Sequence, residues 1–330
     1  MNNLTDPNYL KSFLKRSGLK PRHYLGQNFL VDESVLAKIV TTAQLKKSDT
    51  VLEVGPGIGT LTVELLKRAG KVIAVEKDER MMQVLRGTFG GSAAGIGERL
   101  ALSGRTTPPN DDTRSADDQR LTVIHQDILK FNLGQYIQGP YKVVANIPYY
   151  LTSHLIRYFL GQKNKPRLLV LMVQKEVGER VVAKPGKLSI LGISVQAFAD
   201  AEIVQRRSIS PSPRRGILPP AHPRHWIRRV DGDGFGNEQL PFIVPKTSFW
   251  PQPEVDSVII KITPKEKYPE IADHKLFFSI VKQAFAGKRK QIKNTIRNSE
   301  ALKAAGIDPK ARPQDLSIED WIKLYQAIRL

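Results

Sequence analysis

Four consecutive residues, Asn146-Ile147-Pro148-Tyr149, put a side-chain amide, a proline-stiffened backbone and an aromatic ring side by side. Those types suit one demanding task, alkylation of the exocyclic amino group of adenine. That nitrogen is a poor nucleophile, because its lone pair is delocalised into the ring. The amide oxygen of Asn146 and the carbonyl of Ile147, held rigid by Pro148, can accept both amino hydrogens and let the nitrogen pyramidalise toward a methyl donor. Catalysis of this kind is positioning by preorganised dipoles, with no acid or base to tune. Tyr149 can stack on the target base, which must leave its neighbours to enter a pocket. The competing use of the same residues is a plain turn, where Asn and Pro are common. What the fold brings to the tetrapeptide decides between the two.

A second constellation, Glu53-Val54-Gly55-Pro56-Gly57-Ile58-Gly59, lies between an apolar run and an amphipathic stretch opening at Thr60. Glycines there let the backbone approach a ligand closely, and a helix N-terminus offers free N–H donors. The spacing is G-x-G-x-G, with Thr60 in the sixth place, rather than the G-x-G-x-x-G of dinucleotide sites, which disfavours NAD. Glu76 follows about 20 residues beyond the loop, where a carboxylate accepts both hydroxyls of a ribose. An adenosine without a pyrophosphate satisfies both features. Asp127, after the next apolar run, can accept from the adenine amino group of that ligand or serve as an ordinary helix cap.

For these residues to meet, the chain must bring several strand ends to one edge. Apolar runs at residues 50–54, 72–75, 121–124, 143–145 and 168–173 read as buried strands. Helical patterns separate them, at residues 60–68 and again after Tyr150, where Leu155, Ile156, Phe159 and Leu160 recur; Asp32 can cap another that carries Val35, Leu36, Ile39 and Val40. Such alternation implies parallel pairing through right-handed crossovers, hence an open α/β sheet with ligands at its carboxyl edge. Residues 87–119 and 206–241 keep no period and read as surface insertions, the second holding seven arginines between Arg206 and Arg229. Beyond Pro253, a strand over residues 255–262 precedes helical patterns over residues 274–296 and 318–328. A boundary near Pro264 then separates a sheet domain, residues 1–264, from a small helical module, residues 265–330.

The 330 residues include 51 Lys and Arg against 32 Asp and Glu, a formal charge of +19 that favours polyanionic partners. Basic residues gather at Lys11, Lys15, Arg16, Lys20 and Arg22, and again on the tail's helical pattern at Lys282, Lys288, Arg289, Lys290, Lys293 and Arg297. No run reaches the length of a membrane-spanning helix, and residues 1–20 lack the apolar core of a signal peptide. The chain has no cysteine, which excludes disulfides and thiolate chemistry and makes an intracellular location the expectation. Six scattered histidines show no metal-ligand spacing, so no metal is expected.

The blocks Gly26-Gln27-Asn28-Phe29-Leu30, Glu53-Val54-Gly55-Pro56-Gly57, Val75-Glu76, Gln126-Asp127, Asn146-Ile147-Pro148-Tyr149, Gln174-Lys175-Glu176-Val177 and Phe249-Trp250-Pro251 resemble the KsgA-type family of ribosomal RNA adenine dimethyltransferases. The resemblance runs from about Pro21 to the C-terminus apart from the insertions. It implies a Rossmann-like class I methyltransferase sheet with a small helical C-terminal domain. It implies S-adenosyl-L-methionine as cofactor, held by Gln27, Asn28, Leu30, Gly55, Gly57, Glu76, Asp127 and Asn146. Asn146, Ile147 and Pro148 would then present the target adenine, with Tyr149 and Phe249 sandwiching it. The implied reaction is dimethylation of two adjacent adenosines in the 3′-terminal hairpin loop of 16S ribosomal RNA, within the immature 30S subunit, by a cytoplasmic monomer. Lys288, Arg289, Lys290, Lys293 and Arg297 would contact the RNA.

Erm-type enzymes of large-subunit RNA share this pocket. The tail, with Ala284-Phe285, Lys288-Arg289-Lys290, Asn294 and Gly306-Ile307-Asp308-Pro309, looks like the small-subunit branch. An assembly factor of the same fold without turnover is the other alternative, against which intact Asn146 and Tyr149 argue. The insertions are a departure from the family: Glu76 precedes Asp127 by 51 positions, about twice the usual separation.

Overall fold

Leu52, Val54, Ile73, Val75, Val143, Ala145, Leu169, Leu171 and Val173 face one apolar cluster, while Val51, Val72, Ala74, Val144, Val170 and Met172 face another. That alternation is the period of two of a pleated strand, and it marks the two faces of a central sheet. The computed structural model describes residues 4–22, 26–89, 120–206, 240–265, 271–287 and 290–329, so most of the two stretches read as insertions lies outside the described residues.

Five parallel strands, β2 (Thr50–Val54), β3 (Lys71–Glu76), β4 (Leu121–His125), β5 (Tyr141–Asn146) and β6 (Leu168–Gln174), form the body of the sheet. β10 (Ser257–Pro264) inserts antiparallel between β6 and β7 (Ala199–Ile203), and β8 (Ile243–Val244) pairs with β10. The strand order is β4-β3-β2-β5-β6-β10-β7. Chain order reverses between β2 and β5, so their carboxyl ends open a crevice, the place where open α/β sheets bind ligands. A separate short pair, β1 (Phe29–Leu30) with β9 (Phe249–Trp250), stands near that edge.

Leu169 through Val173 in β6 are completely buried. Each such side chain contributes roughly 1.5–3 kcal/mol, which is why this run reads as continuously apolar rather than alternating. Helices α2 (Glu33–Ala43), α3 (Thr60–Leu66) and α4 (Glu79–Phe89) cover one face. Asp32 caps α2, accepting from the Ser34 and Val35 amides as its position suggested. The other face packs on helices Thr152–Leu160, Ile190–Gln196, His274–Phe285 and Ile318–Arg329. Phe277, Ile280, Trp321 and Tyr325 of the tail thus share one cluster with the sheet, joined through Phe198, whose ring meets that of Phe277 edge-on at 5.8 Å.

Three expectations need correction. The pattern over residues 274–296 is helical only to Phe285; beyond it the chain turns so that Ile292 and Ile296 reach the core, with the Ile292 amide donating to the Ala311 carbonyl at 2.8 Å. Lys290, Lys293 and Arg297 therefore do not continue the helix that ends with Lys282 in its last turn. The strand expected from Val255 begins at Ser257, leaving Val255 exposed. The basic N-terminal segment, assigned no element, forms α1 (Pro7–Arg16), capped by Asp6 and buried along Leu10 and Leu14. No described helix is long and apolar enough to cross a membrane.

Candidate active site

β2 delivers its glycine loop to the carboxyl edge with Gly55, Gly57 and Gly59 at φ of 66°, 59° and 89°. L side chains resist this left-handed region, so the spacing of the three glycines is a backbone requirement. A Cβ on Gly59 would also lie 2.6 Å from the Phe89 ring. Gly59→Ala is expected to cost about 1–3 kcal/mol, read as a lowered unfolding midpoint; an unchanged midpoint would contradict it.

Glu76 ends β3 with only 7% of its surface exposed. Its carboxylate accepts from the amides of Lys77 (2.7 Å), Asp78 (2.8 Å) and Gly57 (3.1 Å), which ties it to the glycine loop. Burial outweighs those donors and pushes its pKa above the usual carboxylate value. On the neighbouring strand end, Asp127 does two things at once. One oxygen caps the following turn through the Leu129 amide at 3.0 Å, and the other meets Lys77 Nζ at 2.9 Å. The Lys77 bond is the main reason its pKa lies below the ordinary value. Lys77 is largely exposed, so it can move aside for a ligand group.

β5 ends at Asn146, whose Nδ2 donates to the Asn28 carbonyl at 3.4 Å. No donor among the described residues reaches Asn146 Oδ1 or the Ile147 carbonyl. Pro148 packs so closely under Gly26, at φ 64°, that a Cβ there would come within 3.2 Å of it. Tyr149 is anchored by its hydroxyl, 3.0 Å from Ser257 Oγ, and burial raises its pKa. Phe249, paired with Leu30 across β1 and β9, is buried.

These residues line one cleft of about 520 Å³. Gln27, Asn28, Leu30, Gly55, Gly57, Glu76 and Asp127 lie there together with Asn146, Ile147, Pro148, Tyr149 and Phe249. Gln27 is engaged within the protein, its Nε2 donating to Asp78 at 2.8 Å and its Oε1 accepting from the Arg22 amide at 2.9 Å. Lys290, Lys293 and Arg297 are exposed and do not line the cleft, while Lys288 and Arg289 lie outside the described residues. Among the described residues no group of three His, Asp or Glu is placed to hold a metal.

One residue that opens the glycine constellation had been given no role of its own. Glu53, in β2 just before the glycines, is 1% exposed and accepts from Thr62 Oγ1 at 2.7 Å. Burial pushes its pKa up to about 8, with the charge of Glu76 adding to the effect. The legible signal was a carboxylate inside an otherwise apolar strand, a position that demands either a partner or a proton.

The chain matches the family described as ribosomal RNA adenine dimethylase over residues 18–96 and 108–330. It is 37% identical over 328 residues to ribosomal RNA small subunit methyltransferase A of Dehalococcoides mccartyi, covering 95% of this chain and 90% of that protein. Among solved structures it resembles a dimethyladenosine transferase from Plasmodium falciparum, with TM-score 0.61, 24% identity, and coverage of 90% of this chain and 95% of that one. It also resembles the 23S rRNA methyltransferase ErmE, with TM-score 0.59, 22% identity, and coverage of 92% and 100%. These two likenesses speak for the fold, whereas the family match spans the glycine loop, the tetrapeptide and the tail together. The chain belongs to the ribosomal RNA adenine dimethylase family.

Proposed function

We propose that this protein transfers methyl groups from S-adenosyl-L-methionine to the N6 amino groups of two adjacent adenosines in the 3′-terminal hairpin loop of small-subunit ribosomal RNA. The observation that carries the reading is the pair of unengaged acceptors, Asn146 Oδ1 and the Ile147 carbonyl, in the same cleft as Glu76. A turn built only for packing would have no need to leave two acceptors facing a cavity beside a buried carboxylate.

The cleft fits the cofactor's nucleoside. Glu76 and Asp127 stand at adjacent parallel strand ends, with Glu76 opposite His125 in register, which suits a ribose and its adenine. When bound, the cofactor supplies an electrophilic methyl group. Glu76 would accept the ribose hydroxyls, Asp127 would accept from the adenine amino group, and the glycine loop with Gln27, Asn28 and Leu30 would line the remainder. Asn146 and Ile147 accept the two N6 hydrogens of the target, and Tyr149 and Phe249 hold its ring in plane.

The tail, residues 265–330, serves in this reading as the RNA-binding module, with Lys290, Lys293 and Arg297 and the two basic residues before them tracking phosphates of the immature 30S subunit. In this reading the protein acts as a cytoplasmic monomer, in keeping with a cleft lined by residues of one chain and with an RNA-directed reaction. The name of the D. mccartyi relative supports the small subunit over the large.

Mass spectrometry of ribosomal RNA from a strain lacking the mark, complemented with this chain, tests the reading. Dimethyladenosine should return in small-subunit RNA. Its appearance in large-subunit RNA would overturn the substrate assignment, and its absence from both would overturn the activity.

A further inference from the structure

Helix α1 places a second charged surface beside the cleft. Its inner residues Leu10 and Leu14 are buried in a cluster with Phe29, Ile58 and Trp250. Ile58 belongs to the glycine loop, and Trp250 follows Phe249 in β9, so the helix is fixed to both walls of the site. Its outward positions carry Lys11, Lys15 and Arg16, all exposed, and exposed Lys20 follows the turn at Gly18. Lys11 Nζ stands 5.9 Å from the centroid of the Trp250 ring, so positive charge is held next to the strand that carries Phe249.

The helix dipole explains Lys15 and Arg16, which occupy the last turn. It does not explain Lys11 in the middle or Lys20 beyond the end. Among the described residues none of the four is paired with a carboxylate, and the acidic residue nearest in sequence, Asp6, is spent on the helix cap. Arg16 stands over the Tyr9 ring at 5.8 Å, as Lys11 does over Trp250, so what remains is a set of exposed cations without acidic partners among the described residues, two of them steadied on aromatic rings.

We propose that α1 is a docking surface for the phosphate backbone of RNA, gripping the strand that delivers the target adenosine into the cleft. The inference rests on the RNA-directed reading given above. A base leaving its stack carries its flanking phosphates outward, and cations fixed beside the cleft hold that strand in the splayed state. The RNA is then gripped on the α1 side of the cleft as well as by the tail.

The test compares the wild type with the triple variant Lys11→Glu/Lys15→Glu/Arg16→Glu and with the milder triple Lys11→Gln/Lys15→Gln/Arg16→Gln. Affinity for unmethylated small subunits is measured over a range of salt, alongside cofactor affinity and unfolding midpoint. RNA affinity should fall roughly tenfold to hundredfold at low salt, and the slope of its logarithm against log salt should shrink by roughly two to three. Cofactor affinity and midpoint should hold for the Gln variant, which isolates charge from folding. Wild-type affinity and slope in a folded Gln variant would overturn the role of α1. So would loss of binding to anionic vesicles with RNA binding intact. A wild type that binds no RNA at any salt would instead overturn the parent reading.

Discussion

Asn146→Ala is expected to lower kcat/KM for methyl transfer roughly 10²–10³-fold, the size typical of removing one preorganised dipole from a charge-developing transition state. The substitution deletes Oδ1, one of two acceptors held at the cleft wall. It also removes the Nδ2 bond to the Asn28 carbonyl, but that bond is long at 3.4 Å and its loss costs about 1 kcal/mol at most. Cofactor affinity should therefore change far less than turnover, and the loss should fall on kcat. Asn146→Asp keeps an acceptor while giving up the donor, so it should retain more activity than Ala. Transfer of labelled methyl groups to small subunits, with calorimetry of cofactor binding, separates the two effects. Full turnover in the Ala variant would return the tetrapeptide to the status of a plain turn.

The parts of the site legible in the sequence are those where backbone geometry restricts residue choice. Gly55, Gly57 and Gly59 occupy positive φ, which few other residues tolerate, and the apolar run before them has the length of a buried strand. Residues whose role depends on distant partners were not legible. Gln27 accepts from the nearby Arg22 amide and donates to Asp78, 51 positions further along the sequence, and nothing local announces the second bond. Helix α1 went unassigned although its signals are local: Asp6 caps it, Pro7 opens it, and Tyr9, Leu10, Phe13 and Leu14 recur at helical spacing beneath a basic face. The break after Phe285 was missed for the opposite reason: Ile292 and Ile296 sit four apart, as on a helix, but the core reaches them from a turn. Tertiary burial overrode local periodicity in the tail, whereas at α1 the two agree.

Glu53 makes the stability of this protein depend on pH in a direction opposite to ordinary acid denaturation. Its carboxyl holds a proton to about pH 8 in the folded chain, against a reference value of 4.5. Between those limits the native state binds a proton that the unfolded state has released. The stabilisation is complete below the reference value, erodes as pH rises through the window, and is gone above about pH 8. Glu76, also raised by burial, acts in the same sense. His274 acts against it near neutrality, because burial lowers its pKa and the unfolded chain then holds more protons. Asp49 and Asp78, lowered by Lys142 and Arg80, matter only in acid. A difference measurement isolates the buried carboxyl. Glu53→Gln keeps an acceptor for Thr62 and cannot ionise, so it should match the wild type near pH 5. At about pH 8.5 it should be more stable by roughly 2–4 kcal/mol, since a one-proton difference between native and unfolded chains is worth about 1.4 kcal/mol per pH step. Denaturant melts of both proteins across this range check the claim, and parallel stability curves would show that Glu53 enters the fold already ionised.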